Sequence, residues 1–86
     1  MSKHNWHVAR ENEKPKVVRH YRWITKMFEF VLRNPAMFRN RNLVIYDWNK
    51  EVVCMTFEDI KEISNKGLKE GETRKIIKQM GVKKWV

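Results

Sequence analysis

Residues 17–33 read VVRHYRWITKMFEFVLR, and this stretch limits the fold more than any other. Val17, Tyr21, Ile24, Phe28, Val31 and Leu32 recur at three- and four-residue spacings, and Met27 widens the set. Such spacing places them on one face of a helix. Asn34-Pro35 ends the pattern, because the residue before a proline is pushed out of the α region. The apolar face needs a cover, and a chain of 86 residues has room for one modest core.

The remaining elements supply that cover. Leu43-Val44-Ile45-Tyr46 and Val52-Val53-Cys54-Met55 are runs of β-branched and aromatic residues, with the turn formers Asp47-Trp48-Asn49-Lys50 between them. Residues 43–56 therefore predict a β-hairpin. Thr56, with Asp59 three residues on, predicts an N-cap and a helix over 57–66, with Gly67 as its C′ residue. Gly71-Glu72-Thr73 opens a further helix that carries Ile76, Ile77 and Met80 and ends at Gly81. Asn34 is placed to cap a short turn of helix through Ala36, Met37 and Phe38. Residues 1–16 are polar and aperiodic and read as a mobile arm, in which Trp6 alone asks for a docking place. The expectation is an α+β fold in which residues 17–86 form a single compact domain. It has a long N-terminal amphipathic helix, a central β-hairpin and two C-terminal helices, loosely helix-turn-helix in outline.

Composition narrows the setting. Cys54 is the only cysteine, so no internal disulfide is possible and a reducing compartment is expected. The N-terminus has no apolar h-region, and no apolar run approaches the ~20 residues that span a bilayer. The expected location is cytoplasmic or nuclear, neither secreted nor membrane. Binding to an anionic membrane surface ranks behind other partners, since the helix's apolar face is needed for the core.

Charge points to those partners. The protein carries +9, and residues 14–41 hold eight bases (Lys14, Lys16, Arg19, Arg22, Lys26, Arg33, Arg39, Arg41) against one acid, Glu29. Residues 43–86 hold nine bases against seven acids, so the excess is local. A concentrated positive field raises the local concentration of polyanions, and DNA or RNA is the expected partner. On a continuous helix Arg19, Arg22, Lys26 and Arg33 would fall within about 60° of one another, with Trp23 and Phe30 beside them. Cations neutralise phosphates and flat rings stack on unpaired bases. A solvated charged face with both rings buried explains the same pattern without a ligand.

Two further groups are candidates. In a helix-turn-helix reading Lys69, Thr73, Arg74 and Lys78 face a major groove, whereas an ordinary αα-hairpin needs no groove at all. Lys83, Lys84 and Trp85 in the tail either extend a nucleic-acid surface or tuck the ring against the core. Catalysis is not expected. His4, His7, His20 and Cys54 lack metal-ligand or nucleophile spacing, there is no glycine-rich phosphate loop, and no cofactor is implied. The expected function is non-enzymatic nucleic-acid binding. The alternative is a small basic regulator that clamps an acidic protein surface, for which Trp, Met and Arg are the usual anchors.

Overall fold

A computed structural model of the protein describes residues 3–13 and 20–81. Along them run strand β1 (Trp6–Arg10), helix α1 (Ile24–Arg33), the one-turn helix α2 (Pro35–Phe38), strands β2 (Asn42–Asp47) and β3 (Lys50–Thr56), and helices α3 (Phe57–Asn65) and α4 (Glu70–Met80). The strands form one antiparallel sheet in the order β1-β2-β3. Trp6 stands opposite Asp47 and Arg10 opposite Leu43, while Leu43 faces Met55 across the other ladder.

The α+β class holds, but the order of elements is not a long helix followed by a hairpin. The chain opens with a strand taken from the expected arm. Trp6–Arg10 reads WHVAR, too polar and too short to announce itself, and it becomes a strand because β2 offers it an edge. Trp6 is 1% exposed, so its docking place is the core of its own domain.

The expected helix over 17–33 is also shortened at its start. Tyr21 is held extended by a bridge to Trp6, each N–H donating to the other's carbonyl at 2.8 Å. Trp23 precedes the first helical residue and supplies no side-chain cap. Glu70 at the start of α4 does so instead. Its carboxylate accepts from the Ile24 N–H at 2.8 Å, and from the Thr25 N–H at 3.0 Å and hydroxyl at 2.9 Å. An anionic group there satisfies two orphan amides and complements the helix dipole. Val17 and the tail 82–86 lie outside the described residues.

The sheet and helices enclose one core. Trp6, Leu43, Ile45, Val53 and Met55 come from the sheet, Ile24, Met27, Phe28 and Val31 from α1, and Phe38, Phe57, Ile60, Ile63 and Ile77 from the other helices. α3 begins with the expected capping box, Thr56 Oγ1 accepting from the Asp59 N–H at 3.2 Å and Asp59 Oδ2 from the Thr56 N–H at 3.0 Å. Asn34 is the N-cap residue of α2, as expected, but its side chain makes no capping bond there; its Nδ2 donates to the Phe30 carbonyl at 2.8 Å and closes α1.

Candidate nucleic-acid interface

Burying Ile24, Met27, Phe28 and Val31 fixes which side of α1 faces out. Lys26, Phe30 and Arg33 lie on that opposite side, within about 60° of one another at the helical repeat. Tyr21, Lys26, Glu29, Phe30, Arg33 and Asn34 line an open cleft of about 520 Å³. Its floor is aromatic. The Tyr21 and Phe30 ring centroids are 5.8 Å apart, and Phe30 meets Phe38 edge-on at 5.8 Å. Its rim carries Lys26 and Arg33, both exposed. Lys26 Nζ lies 3.5 Å from Glu29 Oε2, an exposed pair that contributes little to stability.

Arg22 and Trp23 extend this surface beyond the helix start. The Arg22 guanidinium sits 5.0 Å from the Trp23 ring centroid, a cation–π pair. Trp23 is 47% exposed, whereas Phe30 is half-buried against the core. Because the helix begins at Ile24, Arg22 belongs to the preceding extended segment, and the single helical arc expected for the cations does not form. Arg39 and Arg41 are exposed in the link between α2 and β2, past the far end of α1. Arg19, Lys83 and Lys84 lie outside the described residues.

The α4 candidates are divided. Lys69 and Lys78 are exposed. Thr73 is buried, its hydroxyl donating to the Lys69 carbonyl at 3.0 Å. Arg74 is committed inward. Its Nη1 lies 2.8 Å from His4 Nε2, and its Nε 3.9 Å from Glu70 Oε2. Since arginine only donates, His4 Nε2 accepts, and the ring's proton sits on Nδ1, 2.8 Å from Asp47 Oδ2. Asp47, His4, Arg74 and Glu70 thus form a chain that ties the N-terminal segment and the hairpin to α4 and α1.

Among the described residues no three His, Cys, Asp or Glu side chains are grouped to hold a metal ion. No helix among them is long and apolar enough to cross a membrane. Sequence reasoning overlooked Tyr21 and Asn34 as cleft residues. Its spacing puts Tyr21 on the helix's apolar face, and its bridge to Trp6 joins segments too far apart in sequence to leave a local signal. No protein-family model, curated protein or solved structure matches the chain.

Proposed function

We propose that the protein binds nucleic acid, without catalysing a reaction, through the outer side of α1 and the segments flanking it. The observation that carries this reading is the open cleft lined together by the Tyr21–Phe30 ring pair and the cations Lys26 and Arg33. Arg22 and Trp23 continue the same combination at one end, and Arg39 and Arg41 add charge at the other. Cations release counterions from phosphates, and aromatic faces take up unpaired bases. Exposed Lys69 and Lys78 add to the same positive field. The reading goes with a cytoplasmic or nuclear location, where a chain with a single cysteine is ordinary.

The test is an anisotropy titration with labelled DNA and RNA, comparing the wild type with a triple variant, Arg22→Glu, Lys26→Glu and Arg33→Glu. The wild type binds, more weakly as salt rises, and the triple variant binds at least about tenfold less tightly, as expected when several phosphate contacts are lost. Unchanged binding by the triple variant rejects the interface. No wild-type binding near about 0.15 M salt rejects the function and favours an acidic protein partner, for which Trp23 and Met37 are exposed anchors.

A further inference from the structure

The hairpin between β2 and β3 turns on two residues, Trp48 and Asn49, with φ of +52° and +68°. Two-residue hairpins of this geometry favour Asn, Asp and Gly, and Asn49 fits. A tryptophan in the left-handed region is an outlier that its surroundings must hold in place. They do so from the N-terminal segment. The Trp48 backbone N–H donates to the Asn5 carbonyl at 3.2 Å, and the indole Nε1–H to the Lys3 carbonyl at 3.3 Å. Yet the ring is 54% exposed, the most open of the large apolar side chains described. Strain that serves no core packing marks a candidate functional residue.

A chain of side-chain contacts ties the turn to the start of α1, which Trp23 precedes. Asp47, beside Trp48, is joined through His4 and Arg74 to Glu70, which caps the first two residues of α1 after Trp23. Around these two tryptophans Lys3, Arg22, Lys50 and Lys69 are exposed. Asp47 and Glu70 are taken up in bonds within the protein, while Glu51 and Glu72, near them in sequence, are exposed.

We infer that the ligand is a single-stranded nucleic acid and that Trp48 stacks on one of its unpaired bases. This deepens the nucleic-acid reading and rests on it. A ring anchored by its edge at a hairpin tip leaves a face open, and neighbouring cations hold the phosphates that flank a base. A duplex keeps its bases stacked inside and gains nothing from such a ring.

The experiment uses the full chain with Trp48→Asn, which suits the turn, and Trp48→Phe, which keeps an aromatic face. Affinity is measured by anisotropy with a labelled thymidine oligonucleotide and with a duplex, alongside the melting temperature. Trp48→Asn keeps or raises the melting temperature and weakens single-strand binding about fivefold or more, the range of one lost base stack. Its duplex affinity stays the same, and Trp48→Phe restores most single-strand binding. Unchanged single-strand affinity in Trp48→Asn overturns the inference, and the nucleic-acid reading survives if the triple charge variant has lost binding. An equal loss on duplex and single strand overturns stacking in favour of a general role. A wild type that binds neither probe overturns both readings.

Discussion

His7 is 2% exposed, stacked on Tyr46 with centroids 5.3 Å apart and edge-on to His20 at 5.5 Å. Neither ring nitrogen makes a hydrogen bond of good geometry among the described residues, though the Asn5 backbone lies close enough to be felt. Burial, and then the neighbouring His20, hold this imidazole below its ordinary 6.5, while the Asn5 backbone and, more weakly, the Asp47 carboxylate pull the other way. The unfolded chain therefore binds a proton at a pH where the folded chain does not, so acid favours unfolding. His7's contribution is complete above pH 6.5 and is lost as pH falls from there toward the lower folded value. His7→Phe keeps the stack on Tyr46 and removes an unsatisfied buried polar ring, a change that is often neutral or stabilising. Its melting temperature should match or exceed the wild type's near pH 7.5, and the advantage should grow as the pH is lowered to about 5. A constant gap across that range would mean that His7 titrates alike in both states.

At the level of elements, the capping of α1 decides more than its propensity does. Glu70 lies 46 residues from Ile24 in sequence, yet its carboxylate closes the first turn of α1. Glu70→Ala leaves two amides and the Thr25 hydroxyl without this acceptor, and the expected cost is about 1–2 kcal/mol, the size of a lost N-cap. For a domain of this size that lowers the melting temperature by roughly 4–8 °C per kcal/mol. Glu72→Ala, exposed in the first turn of α4, is the control and should stay within about 0.5 kcal/mol of the wild type. The same contrast shows which elements were legible. The α3 capping box was, because Thr56 and Asp59 are three residues apart and their chemistry is local. The hairpin was legible from its two β-branched runs, though Trp48 at a positive-φ position runs against turn preference and gave no signal. The start of α1 was not, since Tyr21 is held by Trp6 and the cap comes from Glu70, contacts that only the folded chain creates. β1 was hidden for the same reason, its strand character coming from the edge of β2.

Over the whole molecule the positive charge has a direction. With +9 overall and one acid between residues 14 and 41, a polyanion drawn to the protein meets that segment's field, and Glu29 is its only interruption. This part of the proposed site was legible in sequence, because charge counts need no contacts. The cleft that gives it shape was not, since Tyr21 and Asn34 reach it through the bridge to Trp6 and the closure of α1. Glu29 lines that cleft and pairs with Lys26 at 3.5 Å, both side chains more than half exposed. Its carboxylate repels a passing phosphate and occupies a cation that would otherwise contact one. Glu29→Gln removes both effects while keeping the shape of the side chain. An exposed pair of this kind is worth about 0.2–1 kcal/mol, so folding stability should barely change. Repulsion of similar size, relieved, raises nucleic-acid affinity by roughly twofold to fivefold at low salt. Because the effect is a screened charge interaction, the gain should shrink as ionic strength passes about 0.15 M, where the Debye length is about 8 Å. Paired titrations of wild type and Glu29→Gln at low and high salt read it directly. A variant that binds no better at low salt would place the path of the polyanion away from the Lys26–Arg33 cleft.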